Sequence, residues 1–177
     1  LQQLLQKDPD KLEYLMEMGT FYYNKGNYAE AVKYFEKARP QIPTNIDNLM
    51  NISACYYELK DFEKAMSATK TALEIEPNNV DLLDNARSIA AQLNDIDQAI
   101  FYLKKLLDIR PNEDDFSLLA TYLYNKQNWQ ELIKYAEQWY NWDKSNKIAV
   151  EYIIWAAQQT GNKQLETKYT AIKKTMP

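Results

Sequence analysis

Apolar and small residues recur along the chain at three- and four-residue spacings. Leu15, Met18, Gly19 and Tyr22 make one such run, and Ala31, Phe35 and Ala38 make the next. That period is the mark of a helix with one buried stripe. Between runs stand Gly26-Asn27 and, further on, Lys60-Asp61, which supply turn chemistry. The helix–turn–helix pattern then repeats, because Pro9, Pro43, Pro77 and Pro111 stand in arithmetic progression. A fixed period in the range of roughly 20–50 residues denotes an array in which each unit is one small supersecondary element. The recurring proline stops each second helix, since it cannot continue the hydrogen-bond ladder. Asparagine follows in phase at Asn45, Asn79, Asn112 and Asn146, a strong N-cap type that is predicted to open each next first helix.

The phase predicts one continuous domain of five units with a fragment ahead of them. Residues 1–11, with Leu1, Leu4 and Leu5, read as the end of a truncated upstream repeat helix. Repeats follow at 12–45, 46–79 and 80–112, then a divergent fourth at 113–146 and a fifth at 147–177 with a terminal solvent-covering helix. In the third unit Arg87 replaces a small residue; it either snorkels outward or pairs with an acid such as Asp84. In the fourth, Leu132, Ala136 and Trp139 invert the small–large–small order of Ala31, Phe35 and Ala38, a swap that conserves volume, and Lys144 replaces the proline. In the fifth, Val150, Ile153, Ile154 and Ala157 mark the first helix and Gly161-Asn162 the turn. A turn one residue short would bring Leu165, Tyr169 and Ile172 onto the stripe and Pro177 into the proline place. The drift then amounts to two one-residue deletions, one before Glu113 and one near Gly161. Pro40, out of phase, is expected to end or kink its helix near Arg39.

The first unit carries Leu15, Met18, Gly19, Tyr22, Gly26, Tyr28, Ala31, Phe35, Ala38 and Pro43. The second repeats the types with Leu49, Ile52, Ser53, Tyr56, Phe62, Ala65, Ala72 and Pro77 at the same offsets. On these residues the chain resembles the tetratricopeptide repeat family over nearly its whole length. The resemblance implies an all-α fold, a right-handed superhelical solenoid of antiparallel helix pairs whose first helices line a concave groove. Small residues at Gly19, Ser53 and Ala120 mark where paired helices approach closely.

By the same resemblance, the groove-facing positions include Glu13, Glu17, Tyr23, Asn24, Asp47, Asn51, Tyr57, Glu58, Asp81, Asp84, Asn85, Tyr124, Asn125, Glu151 and Trp155. Acids and tyrosines are frequent at the groove positions and neither lysine nor arginine occurs. Lys33, Lys37, Lys64, Lys70, Lys104, Lys105 and Lys134 lie instead on second helices and turns. The expected function is a non-catalytic protein–protein interaction scaffold holding a lysine- or arginine-bearing peptide in an acidic, tyrosine-lined groove. Acids in first helical turns also offset the macrodipole, so Asp47 and Asp81 have a structural reading too. Trp155 is either covered by the final helix or an aromatic anchor for a partner. Some family members grip a chaperone's C-terminal carboxylate with Lys, Asn, Asn, Lys and Arg. The matching positions here hold Met16, Thr20, Asn51, Asp81 and Asn85, so a carboxylate clamp is not expected.

Composition narrows the alternatives. The formal net charge is −4 and the pI about 5.0, which gives no steering toward nucleic acid. Histidine is absent and Cys55 is the single cysteine, so no His-based catalysis, disulfide or thiolate metal cluster is expected, and no cofactor. Cys55 lies in a helical apolar pattern and is expected to pack inertly. No membrane span or signal peptide is visible. The chain begins at Leu1, so it is expected to belong to something longer. Its compartment stays open: soluble and cytoplasmic, or periplasmic or secreted if a signal segment was removed. Two rivals to the peptide groove are self-assembly, with a basic convex face docking onto another copy's acidic groove, and an RNA-reading helical repeat.

Overall fold

The computed structural model describes Asp8 and residues 10–176; Leu1, Leu4, Leu5, Pro9 and Pro177, and with them the expected upstream helix, lie outside the described residues. Among the described residues ten α-helices follow in order: α1 Leu12–Asn24, α2 Tyr28–Ala38, α3 Ile46–Glu58, α4 Phe62–Ile75, α5 Val80–Gln92, α6 Ile96–Ile109, α7 Glu113–Asn125, α8 Trp129–Trp142, α9 Lys147–Gln159 and α10 Lys163–Thr175. No strand occurs among them. The fold is an all-α solenoid of helical repeats. Two compact units divide the chain, Leu1–Tyr102 and Leu103–Pro177.

Local chemistry explains where the helices begin. Asn45, Asn79, Asn112 and Asn146 each accept a backbone N–H from the first turn of the following helix, as their type predicts. The second helices are capped the same way by Asn27, Asp61, Asp95, Asn128 and Asn162. Each turn before a second helix also carries one left-handed residue, at Gly26, Lys60, Asn94, Gln127 and Gly161. Only two of the five are glycine, so the turn geometry is imposed by the helix pair rather than by backbone freedom. Pro40 acts as expected: α2 stops at Ala38 and Arg39–Gln41 form a 3₁₀ turn, because proline cannot extend the ladder.

In unit 1, α1 packs on α2, α2 on α3, α3 on α4 and α4 on α5. Ala31, Val32, Phe35, Ile52, Cys55 and Ala68 form one buried cluster. Gly19 is required by the approach of α2, because a Cβ there would lie 2.5 Å from the Phe35 ring. The second repeat fills the same place with Ser53, whose hydroxyl lies 2.7 Å from that of buried Thr69. Burial pushes the Cys55 thiol up to about 11, the mark of an inert side chain rather than a nucleophile.

In unit 2, α7 packs on α8, α8 on α9 and α9 on α10. Trp139 is 1% exposed and stacks on Phe116 at 5.9 Å. Leu132 and Ala136 are buried with it, so the inverted large–small–large set packs inside the layer, as volume-conserving swaps allow. One expectation fails. The left-handed turn residues Gln127 and Gly161 are separated by the same interval as Gly26 and Lys60, so the last turn is not short. The single deletion lies between Asn94 and Gln127. What shifts is the packed face of α10: Tyr169 is buried against α9 with Leu165 and Ile172 beside it, while Lys173 is exposed. Lys173 falls at the register that holds Ala38, Ala72 and Trp139 in earlier second helices.

Candidate functional site

Three of the expected groove residues meet in unit 1. Tyr57 and Glu58 at the end of α3, with Asn85 and Ser88 on α5, surround a pocket of about 270 Å³ whose inner wall is Ser53, Ala54 and Ile89. The pocket exists because the close-approach position carries a small serine and its neighbour is an alanine. Tyr57 is fixed edge-on against Phe62 at 5.4 Å, which presents a steady aromatic wall. Glu58 is exposed and makes no salt bridge among the described residues. Its charge is felt by Tyr23 of α1, whose phenol is raised first by burial and then by that carboxylate, both of which disfavour the phenolate.

Around the pocket, Asp81 is exposed one turn before Asn85, whereas Asp84 is half-buried. Arg87 settles its alternatives by pairing: its Nε donates to Asp84 Oδ1 at 2.9 Å and its Nη2 to the same oxygen at 2.7 Å. Such charge-assisted bonds hold the guanidinium in place. Asp84 therefore carries less open charge than Asp81, although its side chain stays partly exposed. Glu13, Glu17, Asn24 and Asp47 are exposed and Asn51 half-buried, and none of them lines the pocket. Glu13 is bonded to Lys11 at 3.2 Å.

Four further groove residues meet in unit 2. Tyr124, Glu151 and Trp155 line a cleft of about 480 Å³ with Ile148, Tyr152, Ile154, Gln158 and Lys173. Tyr124, Asn125 and Trp155 line a second of about 380 Å³ with Gln127, Trp129 and Gln159. Trp155 is half-buried, its ring 4.3 Å from Tyr124 and 4.8 Å edge-on from Trp129. The final helix does not cover it with a second apolar layer. Instead α10 sends Lys173 to Glu151 at 2.7 Å, which sets a second-helix cation beside a first-helix acid in this unit. The signal for Lys173 lay in the sequence, as a lysine at a core register, but pointed to a solvent-covering helix.

The second-helix lysines are largely engaged close to home: Lys33 with Glu30, Lys37 with Asp10, Lys64 with Asp61 and Lys104 with Glu131. Among the described residues no group of three or more His, Cys, Asp or Glu is placed to hold a metal ion. No helix among them is long and apolar enough to cross a membrane.

Tetratricopeptide repeat family models match residues 25–88 and 88–113. The chain belongs to the tetratricopeptide repeat family. Solved structures extend the likeness in fold over most of its length. MamA protein superposes with a TM-score of 0.65 at 16% identity, over 93% of this chain and 91% of its own. A tetratricopeptide repeat protein from Parabacteroides merdae ATCC 43184 gives 0.65 at 17% identity, over 89% of this chain and 63% of its own. The first repeat domain of Spaghetti (RPAP3), bound to the HSP90 peptide SRMEEVD, gives 0.55 at 22% identity, over 65% of this chain and 94% of its own. No curated protein is significantly similar to the chain. Family and fold support a protein–protein interaction scaffold.

Proposed function

We propose that this scaffold is non-catalytic and holds a partner segment against the first helices of unit 1, with a lysine or arginine of that segment seated in the Tyr57–Glu58–Asn85 pocket. The carrying observation is the convergence of an uncompensated carboxylate, an aromatic wall and two neutral polar side chains on one concavity. A cationic side chain suits all of them. Glu58 supplies the charge, the Tyr57 face supplies a cation–π contact, and Asn85 and Ser88 accept the remaining N–H donors. Asp81, exposed on α5, extends the negative field along the approach. The SRMEEVD peptide of the RPAP3 complex carries the opposite charge, and a clamp for it has no counterpart at Asp81.

The test is selection from a randomised heptapeptide library on the full chain, followed by titration of the enriched peptides. They are expected to carry lysine or arginine and to bind at least tenfold more weakly to Glu58→Lys. That change substitutes an exposed side chain and leaves folding intact. Enrichment of peptides without a cation, or equal affinity for Glu58→Lys, overturns the reading.

A further inference from the structure

The concavity of unit 2 differs in kind from the pocket of unit 1. Tyr124, Trp129, Tyr152 and Trp155 form one continuous aromatic surface, with Tyr124 also edge-on to Tyr152 at 6.3 Å. Tyr124 and Trp155 wall both clefts, so their rings stand as a ridge between them. One flank carries Ile148, half exposed, and Ile154 beside the Glu151–Lys173 pair and Gln158; the other is lined by the side-chain amides of Asn125, Gln127 and Gln159. The acid here, Glu151, is closed by Lys173. Carboxylate and ammonium cancel within the cleft, which therefore offers no net charge to a lysine, arginine or acidic side chain.

The complementary occupant over the ridge is uncharged, presents flat apolar rings, and brings carbonyl acceptors to the amide flank. Proline-rich chain in the polyproline II conformation has these properties together. Its backbone lacks N–H donors at each proline, its carbonyls point outward, and its shape is set before binding, so little ordering entropy is lost. Exposed aromatic rings are the surface on which such segments dock. We propose that the Tyr124–Trp155 ridge docks a proline-rich partner segment, independently of the cationic pocket in unit 1.

Fluorescein-labelled decaproline, titrated into the full chain and followed by anisotropy, tests this. Saturable binding is expected, with little change between low and high salt. Tyr124→Ala and Ile148→Glu replace exposed side chains and are to be checked for native helicity; each is expected to weaken binding at least tenfold. Glu58→Lys, in the other unit, is expected to leave it unchanged, so failure here and failure of the unit 1 reading are separately visible. The proposal is overturned by any of three results: no saturable binding, unchanged affinity in well-folded Tyr124→Ala, or equal binding of a glycine–serine peptide or a lysine-rich peptide of the same length at the ridge.

Discussion

The pocket of unit 1 and the clefts of unit 2 are built on the same helix–turn–helix, yet they carry opposite chemistry. In unit 1 the residue that ends α3 is an unpaired Glu58 beside Tyr57, at a cavity of about 270 Å³ whose lining mixes the polar Asn85 and Ser88 with Ala54 and Ile89. In unit 2 the equivalent stretch of α7 ends in Tyr124-Asn125, and rings from α7, α8 and α9 close up into a ridge. Repeat phase thus fixes which positions look outward, while the side chains placed there decide the ligand. The charge balance follows the same division. Glu58 has no cation near enough to form a salt bridge among the described residues, whereas Glu151 is met by a lysine from the helix behind.

Damage to a core offers the largest test of that comparison. Trp139→Ala removes the buried ring stacked on Phe116 and is expected to cost about 3–5 kcal/mol in urea unfolding. Decaproline binding by unit 2 is expected to fail at lower urea than peptide binding by unit 1. Simultaneous loss of both would show that the units do not differ in local stability.

An alkaline titration probes unit 1 next. The folded protein holds the Cys55 thiol proton more tightly than the unfolded chain does. The stability linked to that burial is complete below pH 9 and lost as pH rises from 9 through about 11, because the unfolded chain gives up the proton first. The loss is on the order of 2–3 kcal/mol, and Cys55→Ala is expected to flatten that limb in denaturation measured against pH.

A smaller effect is expected at the α1–α2 contact. Gly19→Ala forces the Phe35 ring to move and is expected to cost about 1–3 kcal/mol. Gly19→Ala with Phe35→Leu is expected to recover part of it, since the two sites share one space. An additive double variant would mean the ring is not what glycine accommodates.

The smallest stability change sharpens the contrast in charge. Lys173→Ala breaks an exposed ion pair and is expected to cost about 1 kcal/mol or less. It also uncovers Glu151, so a lysine-rich peptide that ignores unit 2 in the parent chain is expected to bind there a few-fold more tightly. Anisotropy with the labelled peptide checks it, and unchanged affinity would show that Lys173 does not set the cleft's charge.

Much of this was legible in the residues themselves. The repeat phase, the asparagine caps, the stop at Pro40 and the packed places of Gly19, Cys55 and Trp139 all follow from local rules, because helix periodicity, capping and close approach act within one or two turns. The site was legible only as a set of outward positions. Tyr57, Glu58 and Asn85 converge because residues of α3 and α5 line one concavity, floored in part by the small Ser53 and Ala54 of α3. No local signal separates them from Glu13, Glu17 or Asp47, which do not line that pocket. The shift in α10 was misplaced for a related reason: the stripe moved while the turn kept its length, and apolar spacing alone cannot distinguish the two.

Spacing and residue type were enough for an all-α repeat array of the tetratricopeptide kind. Whereas the Arg87–Asp84 pair lies within α5 and was open to the sequence, packing in three dimensions decided that Glu151 is met by a cation, since Lys173 reaches it from α10. It also decided that four rings from three helices make one ridge. Ion pairs and ring contacts act over only a few ångströms, a precision that the packed helices supply and a linear pattern does not.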